Sequence, residues 1–442
     1  MNELKIAEEK LGAMIRIPTV SKHEHEDLSQ FYLYHEELER LFPLLHEKLE
    51  KTVLSGTLIY RWQGRDADKL PVLFMGHQDV VPASDEGWSV PAYSGIAKED
   101  GCLYGRGALD CKGTMYVQMQ AVEELLEEGF VPPCDVYLEY SINEETGGDG
   151  AAAAMRYLRD KSIRFAFVLD EGGAVIEEAV PGMDKPYAVV GVTEKGYMDV
   201  RITARGKGGH SSTPPRNTPA ARLFAFANEI EKKRPFQKKM IPEVREMFRQ
   251  MAPAFSGPLK FLLGNLWLTK PLVMAAMPMV SPFGEALMAT TCCFTMMKGS
   301  DAANVIPKES YLIANLRCSV HQNCEESLNV LKKYGQKYDL EFEVLQQRDA
   351  SPVSDIHSAA YGFVEKTIRA HFPDAGVAPY LIMGGTDCRH FHALSDTALR
   401  FAPVRMTNAQ NASCHAVDEN VTLSALAEGV RFYKRLLHDY SL

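Results

Sequence analysis

Three apolar runs in the first half of the chain each end in a short group of polar residues. They span residues 71–75, 134–142 and 163–169, and they lead into His77-Gln78-Asp79, Asn143-Glu144-Glu145 and Asp170-Glu171. An apolar run of this length is typical of a strand buried on both faces, as in a parallel sheet covered by helices. Because ligands bind beyond the carboxyl ends of such strands, we expect these polar groups to gather at one edge of the sheet.

Amphipathic segments separate and follow these runs. Residues 114–129 and 151–160 are predicted as helices, and two more helices are predicted over 358–371 and 422–437 near the end of the chain. Strands that alternate with helices predict an α/β domain with a mainly parallel sheet covered by helices.

The pattern changes near Thr193. Residues 197–203 alternate apolar and polar positions, as an antiparallel strand with one open face does. They are followed by a predicted helix (218–233), two strands (290–297 and 311–319), a helix (325–338) and a strand (341–347). This β-α-β-β-α-β order predicts an inserted α+β, ferredoxin-like domain. We therefore divide the chain into a first domain of residues 1–194 and 350–442 and an inserted domain of residues 195–349, with a helical elaboration over 235–287.

Length, charge and cysteine content narrow the class of protein. A chain of 442 residues exceeds the size at which single cores stop growing, which fits two domains. The formal net charge of -10, without a basic run, argues against a nucleic-acid partner. The nine cysteines form no CxxC pair, which favours a reducing compartment, so we expect the cytoplasm. The longest apolar tract, residues 261–297, is broken by charged residues and prolines, and the start of the chain lacks the apolar core of a secretory signal; we expect no membrane partner.

The strand-end groups and two other motifs supply residues suited to binding metal. The set comprises His77, Asp79, Asp110, Glu144, Glu145, Asp170, Glu171 and His415. Taken singly, each has an ordinary explanation: an aspartate in a glycine-rich loop, such as residues 104–113, is usually a turn residue, and an isolated histidine is usually structural. Together, so many carboxylates would repel one another unless cations neutralise them. Two histidines with several carboxylates suit zinc, with cobalt or manganese as possible substitutes.

We expect two zinc ions that share Asp110 as a bridging ligand. The other expected ligands are His77 with Asp170 or Glu171 for one ion, and Glu145 with His415 for the other. Asp79 would accept the second ring N–H of His77 and so fix its orientation. Glu144 would remain unligated and act as the general base on metal-activated water.

These motifs resemble those of a known family. The chain carries His77-x-Asp79, Gly105-Arg-Gly-x-x-Asp110-x-Lys112-Gly113, Glu144-Glu145, Asp170-Glu171-Gly172 and a late His415, which look like the motifs of the dizinc aminoacylase/carboxypeptidase peptidases. That family includes acetylornithine deacetylase and succinyl-diaminopimelate desuccinylase. The runs Glu194-Lys-Gly196, Gly209-His210-Ser-Ser, Asn304-Val-Ile-Pro307 and Gly385-Thr386-Asp387 look closest to its carboxypeptidase S and N-fatty-acyl-amino-acid hydrolase branch.

The resemblance implies that residues 1–194 and 350–442 form a zinc-peptidase-like catalytic domain and that the inserted residues 195–349 form a lid or dimerisation domain. It also implies roles for single residues. His210 and Asn304 would help to hold the oxyanion, often in the partner's site, within a homodimer formed through the inserted domain. Arg317 would bind the substrate carboxylate, and Thr386 is a further substrate-binding candidate. Between the two neighbouring acids, the resemblance favours Asp170 as the metal ligand and leaves Glu171 as the second choice.

The predicted function is metal-dependent hydrolysis of an amide bond next to a free carboxylate, in a peptide or an N-acyl amino acid. A biosynthetic deacylase of the acetylornithine type is the alternative within this class. A non-catalytic binding protein on the same fold would lack a ligand or the base, and the sequence lacks neither. A nucleotide-binding α/β protein is disfavoured because no GxGxxG or GxxxxGK[ST] motif follows the first strand.

Overall fold

The computed structural model describes residues 2–22, 27–180 and 182–442. The strands are β1 (Glu50–Leu54), β2 (Thr57–Trp62), β3 (Val72–His77), β4 (Ile96–Ala97), β5 (Cys102–Tyr104), β6 (Val136–Ser141), β7 (Phe167–Asp170), β8 (Val175–Ile176), β9 (Tyr187–Glu194), β10 (Gly196–Arg205), β11 (Gly209–His210), β12 (Thr291–Lys298), β13 (Val305–Ile306), β14 (Glu309–Cys318), β15 (Glu341–Arg348), β16 (Gly376–Ile382), β17 (Ala398–Arg400), β18 (Arg405–Met406) and β19 (Asn420–Thr422). The helices are α1 (Glu3–Ile15), α2 (Ser29–Leu41), α3 (Pro43–Lys48), α4 (Lys112–Glu127), α5 (Gly150–Asp160), α6 (Pro219–Lys233), α7 (Pro242–Met251), α8 (Gly257–Gly264), α9 (Leu266–Val280), α10 (Pro282–Ala286), α11 (Cys324–Gly335), α12 (Ala359–His371), α13 (Cys388–Phe391), α14 (Asn408–Ser413) and α15 (Leu423–His438).

Ten strands form a large sheet in the order β1-β2-β6-β3-β7-β17-β9-β8-β18, with β16 paired to β9. Its centre is parallel, because β3 runs in the same direction as both β6 and β7, and β17 is parallel to β7. Apolar residues of α4 and α15 cover one face, and those of α5 and α13 cover the other. The expected helix-covered, mainly parallel sheet is therefore confirmed.

The central strands form where the apolar runs predicted them. All six residues of β3 and all six of β6 are buried, which explains why these runs have no alternating polar positions. The third strand, β7, begins at Phe167 and not at residue 163, as its apolar run had suggested. Its partner β3 begins at Val72, directly after Pro71, and the register pairs Val72 with Phe167. One step further back, the N–H of Ala166 still donates to the carbonyl oxygen of Pro71 at 2.8 Å, but Pro71 has no backbone N–H to donate in turn.

A second sheet contains four antiparallel strands in the order β12-β14-β10-β15. Along the chain these strands and α6 and α11 follow the predicted β-α-β-β-α-β order, and the two helices pack on one face of the sheet through Leu223, Phe226 and Leu331. This is the ferredoxin-like arrangement that the sequence predicted.

The chain enters and leaves the second sheet at adjacent points. It enters at Gly196, directly after β9, and leaves after Arg348. The backbone N–H of Glu194 donates to Ser351 Oγ at 2.9 Å, and the N–H of Ser351 donates back to the carbonyl oxygen of Glu194 at 3.1 Å. We call these two hydrogen-bonded crossings, residues 193–196 and 348–351, the neck.

The segment between α6 and β12 is helical, as expected, and it packs on the large sheet. Met247, Phe248 and their neighbours share a hydrophobic cluster with residues of β9 and β16. Helix α9 turns an apolar face to solvent, where Trp267 is 83% exposed and Met279 is 85% exposed. Within the described residues, no helix has both the length and the apolar character that crossing a membrane requires.

Candidate metal centre

The predicted site residues follow strand ends that lie side by side. His77 ends β3, Ser141 ends the parallel strand β6, and the two are paired in register. Glu144 follows β6 by three residues, and Glu171 follows directly after β7. Because these strands run in the same direction, the polar groups after them meet at one edge of the large sheet.

Asp110 lies at the centre of the cluster, in the loop that connects β5 to α4. Its Oδ1 atom is 2.9 Å from Nε2 of His77, and its Oδ2 atom is 2.9 Å from Nε2 of His415. Glu171 Oε1 lies 3.2 Å from the same nitrogen of His77, and Glu145 Oε2 lies 3.1 Å from that of His415. The cluster therefore has two halves, and Asp110 belongs to both.

The two neighbouring acids after β7 point in different directions. The carboxylate of Asp170 accepts hydrogen bonds from the backbone N–H groups of Glu171 at 2.8 Å and Cys388 at 2.9 Å. Those bonds occupy both carboxylate oxygens of Asp170, whereas Oε1 of Glu171 lies 3.2 Å from Nε2 of His77. Within the described residues, the contact with His77 is thus made by Glu171, the second-choice ligand, and not by Asp170, the residue favoured from the sequence.

Asp79 contacts His77 and also the loop that carries Glu144. Nδ1 of His77 donates to the backbone carbonyl oxygen of Asp79 at 2.9 Å, while the carboxylate oxygen Oδ1 of Asp79 is 3.3 Å away. The Asp79 carboxylate instead accepts the backbone N–H groups of Glu144 at 3.2 Å and Glu145 at 3.1 Å, and the hydroxyl of Ser21 at 2.7 Å. Asp79 therefore orients the histidine ring through its backbone and the loop of Glu144 through its side chain.

Glu419 is a positioning residue to which the sequence analysis gave no role. It is fully buried, and its carboxylate accepts the backbone N–H groups of Leu109 at 2.8 Å and Asp110 at 3.1 Å, while Arg106 forms an ion pair with it. It thereby fixes the loop that presents Asp110. Its position in the sequence, four residues after His415, could have identified it as a residue near the metal centre.

Two thiols adjoin the cluster and were also missed. Cys414 Sγ donates to Asp110 Oδ2 at 3.2 Å, and the backbone N–H of His77 donates to Cys111 Sγ at 3.0 Å. Each cysteine is the sequence neighbour of a candidate ligand, His415 or Asp110, and that adjacency could have identified it.

The carboxyl groups of the cluster strongly perturb one another. Burial and then the charge of Asp110 raise the pKa of Glu171 to about 8. Burial alone would raise the pKa of Asp110 as well, but hydrogen bonds from His415 and His77 hold it well below its usual value. Burial also raises the pKa of Glu144 well above its usual range. The cluster therefore concentrates negative charge that needs cationic compensation.

The donor atoms fit divalent metal ions. His77, Asp110 and Glu145 offer ligand atoms that all lie within 4.8 Å of one another. Because Nδ1 of His77 donates to a carbonyl oxygen, Nε2 is the nitrogen that faces the two carboxylates, and it would offer its lone pair to a metal ion bound there. The Oε1 atom of Glu145 is buried and has no hydrogen-bond partner. A cation satisfies all of these groups at once.

Four other predicted site residues lie apart from the cluster. His210 and Asn304 are exposed on the ribbon formed by β11 and β13, where Nδ1 of His210 bonds the hydroxyl of Ser212 at 2.8 Å. Arg317 stacks on a tyrosine ring of β10, and Thr386 is buried and donates to Glu194 at 2.8 Å. Within the described residues, no hydrogen bond or ion pair joins any of the four to the cluster.

Comparisons with known proteins agree with this fold and site. Residues 73–439 match the family described as Peptidase family M20/M25/M40. The chain is 33% identical over 449 residues to the N-fatty-acyl-amino acid synthase/hydrolase PM20D1 of Xenopus tropicalis, covering 99% of this chain and 86% of that protein. It is 27% identical over 481 residues to carboxypeptidase S of Saccharomyces cerevisiae, covering 96% and 82%. The M20 family metallo-carboxypeptidase Sso-CP2 of Sulfolobus solfataricus superposes with a TM-score of 0.71 at 18% identity, over 99% of both chains.

The fold, the cluster of histidines and carboxylates, and these similarities define a metal-dependent hydrolase of amide bonds that uses a divalent metal cofactor. The chain belongs to peptidase family M20/M25/M40. The resemblance expected from the sequence motifs is thereby confirmed.

Proposed function

We propose that this enzyme cleaves an amide bond next to a free carboxylate, in an N-acyl amino acid or at the carboxyl end of a peptide. The observation that carries the proposal is the convergence of two histidines and two further carboxylates, those of Glu145 and Glu171, on Asp110. Glu144 directly precedes Glu145 and, within the described residues, forms no hydrogen bond or ion pair with either histidine. The relatives named as N-fatty-acyl-amino acid hydrolases and as carboxypeptidase S support the substrate class.

Two zinc ions are the proposed cofactors, with cobalt or manganese as substitutes. His77, Asp110 and Glu171 would hold one ion, and Asp110, Glu145 and His415 the other. Mixed histidine and carboxylate donors support zinc. When bound, the ions supply Lewis acidity for the attacking water and for the scissile carbonyl.

The protein's own groups supply the proton transfers. Glu144 accepts a proton from the attacking water at its carboxylate and passes it to the leaving amine nitrogen. Asp79 positions Glu144, because it accepts the backbone N–H of that residue. His210, from a partner chain, donates a hydrogen bond to the oxyanion, which is the oxygen of the scissile carbonyl group after water has attacked its carbon.

Residues 195–349 are proposed to act as a lid and as the surface that forms a homodimer. Support comes from the exposure of His210 and Asn304, which form no hydrogen bond or ion pair with a proposed metal ligand in the part of the chain that the structure describes. The methionines at 296 and 297 on edge strand β12 are 62% and 61% exposed, which suits a surface covered by a second copy. The free state of all nine cysteines supports a reducing compartment, for which we propose the cytoplasm.

The acyl group is proposed to be long and apolar. Trp267, Leu272 and Met279 of α9 are exposed, and Phe283, just after that helix, stacks on Tyr380 near the carboxyl end of β16 with ring centroids 6.4 Å apart. The exposed apolar surface on α9 and the aromatic pair beside β16 support a long acyl group. N-lauroyl amino acids should therefore be hydrolysed faster than N-acetyl amino acids, and the reverse order would favour a small-substrate deacylase.

The variant Glu144→Gln tests the catalytic assignment. It removes the base but keeps a side chain of the same size, so metal content should remain at the wild-type value while turnover falls at least about 100-fold. The matched control is Glu145→Gln, which should lower both the metal content and the turnover. Near-wild-type turnover by Glu144→Gln would show that another group takes the proton.

A further inference from the structure

A thiol lies in the half of the cluster that contains His415. Cys414 directly precedes His415 in the chain, and its Sγ atom is 3.2 Å from Oδ2 of Asp110. Nε2 of His415 is 2.9 Å from the same oxygen. The ligand atoms of these three residues all lie within 4.8 Å of one another. The thiol is therefore close enough to share an ion with Asp110 and His415.

The backbone brings two consecutive side chains to one oxygen atom. In an extended segment, neighbouring side chains point to opposite sides. Here the chain turns at His415, whose φ of 60° lies in the left-handed region, and the side chains of Cys414 and His415 both reach Oδ2 of Asp110. Residues other than glycine are uncommon in this conformation, and such strained residues cluster at functional sites.

The other thiol beside the cluster is arranged differently. The backbone N–H of His77 donates to Cys111 Sγ at 3.0 Å, and that thiol faces the carbonyl oxygen of His77 at 3.7 Å. Cys111 is fully buried. It is thus engaged by the backbone of β3, whereas Cys414 contacts a carboxylate oxygen of the residue that both halves share.

The two halves also differ in their exposure to solvent. The side chain of His77 is 1% exposed, whereas that of His415 is 50% exposed. Glu145, in the His415 half, has a side chain that is 6% exposed, and its buried Oε1 atom has no hydrogen-bond partner within the described residues. That oxygen points to a missing cation in this half, and a further protein ligand would hold the cation against exchange with solvent.

A thiolate is a soft ligand that favours zinc, whereas manganese prefers oxygen ligands. We propose that Cys414 is a further ligand of the ion in the His415 half of the cluster and that it makes this half selective for zinc over manganese. The inference rests on the metal centre of the proposed function. A coordinating thiol is deprotonated, so the proton that Cys414 donates to Asp110 is released to solvent when the ion binds.

Cobalt reports on a sulfur ligand directly, because a bond between Co²⁺ and a thiolate produces a charge-transfer absorption in the near ultraviolet. The cobalt-loaded wild type should show this absorption, and Cys414→Ser should lose it. Cys111→Ser, which changes the other thiol beside the cluster, should keep it. Cys102→Ser is the matched control, because Cys102 is also a partly exposed free cysteine. No such absorption in the wild type, or its loss in Cys111→Ser but not in Cys414→Ser, overturns the assignment.

Zinc and manganese titrations measure the selectivity. Loss of even an outer partner of a metal site lowers affinity about 10- to 100-fold, so Cys414→Ser should weaken the binding of one zinc ion by at least about 10-fold. Manganese binding should change much less, because manganese prefers oxygen ligands. An equal loss for both metals would mean that Cys414 acts only through its hydrogen bond to Asp110, and it would overturn the proposed ligation.

X-ray absorption spectroscopy of the zinc-loaded wild type needs no substitution that could impair folding. It should show sulfur at about 2.3 Å from zinc, and the absence of sulfur around zinc overturns the inference. Turnover of an N-acyl amino acid, measured on the same samples, separates the two proposals. Turnover without sulfur ligation overturns only this inference, whereas sulfur ligation without turnover by the wild type overturns the proposed hydrolysis.

Discussion

The carboxylate of Asp79 accepts the backbone N–H of Glu144 at 3.2 Å, and this bond joins the loop of the proposed base to the strand end that supplies His77. Its other oxygen accepts the N–H of Glu145 at 3.1 Å. Each of these backbone N–H groups needs an acceptor oxygen. In Asp79→Asn, an NH₂ group of about the same size would replace one carboxylate oxygen and would face a backbone N–H, so one of the two hydrogen bonds would be lost.

We predict that Asp79→Asn lowers metal affinity or kcat about 10- to 100-fold, as the loss of an outer partner of a metal site usually does. Metal titration and steady-state kinetics on the same sample would measure this. Ser21→Ala is the control, because it removes one bond to Asp79 and leaves both N–H contacts in place. Equal effects of the two substitutions would mean that the two backbone bonds contribute nothing.

Glu194 is predicted to be a major contributor to stability. It is fully buried, forms ion pairs with Arg389 and Arg400, and accepts the Thr386 hydroxyl at 2.8 Å. Glu194→Ala leaves two arginines without an anion, so the free energy of unfolding should fall by about 3–5 kcal/mol. Asp374→Ala, which breaks a surface pair with Arg405, should cost at most about 1 kcal/mol. Urea denaturation, monitored by circular dichroism, would measure the stability of Glu194→Ala and Asp374→Ala. Similar midpoints for both variants would contradict the prediction.

We predict that the titration of Lys195 makes the free energy of unfolding rise with pH. Its ammonium group is buried and donates to the carbonyl oxygens of Ala286 at 3.0 Å and Ala289 at 2.7 Å. Burial, helped by the charge of Arg317 and opposed by Cys318, lowers the pKa of Lys195 to about 7, whereas an unfolded lysine titrates near about 10.4. Between these values the unfolded chain holds a proton that the folded chain has lost, so this residue makes stability increase with pH.

Lys195→Met should remove this contribution to the pH dependence of the free energy of unfolding. The difference between the wild-type and variant free energies of unfolding should grow with pH above 7, with a slope of up to about 1.4 kcal/mol per pH unit. Denaturation midpoints measured from pH 7 to 10 would show it. Parallel pH profiles for the two proteins would mean that Lys195 keeps its proton in the folded state.

A mixing experiment tests whether His210 acts across a dimer. Glu144→Gln and His210→Ala should each be inactive alone, but a heterodimer would contain one site with both residues. After unfolding and refolding together, the mixture should regain about a quarter of wild-type activity, because half of the dimers are mixed and each has one intact site. Glu144→Gln mixed with Glu145→Gln is the control and should regain none, since both changes disable a protomer's own cluster. No recovery in the first mixture would place His210 outside the partner's site.

The sequence predicted the central features because they depend on local patterns. The strands that end at His77 and before Glu144 are buried on both faces, and such strands need continuous apolar runs. The parallel direction of β3, β6 and β7 then brings their ends together, so most of the candidate ligands could be identified without coordinates.

What the sequence could not predict depends on side-chain direction and on distant contacts. Asp170 and Glu171 are adjacent and chemically similar, and one of the two backbone N–H groups that hold Asp170 belongs to Cys388, far along the chain. Glu419 looks like an ordinary surface residue in the sequence, because the groups that surround it come from other segments. Strand β9, which carries Glu194 and is buried throughout, was not predicted.

The second sheet is held against the large sheet by more than the neck. The helical segment between α6 and β12 packs on β9 and β16, and the ammonium group of Lys195 in the neck donates to the carbonyl oxygens of Ala286 and Ala289 at the end of that segment. His210, by contrast, lies beyond the far end of β10, a strand about 30 Å long. The near end of the second sheet is therefore braced, and any tilt of that sheet displaces His210 the most.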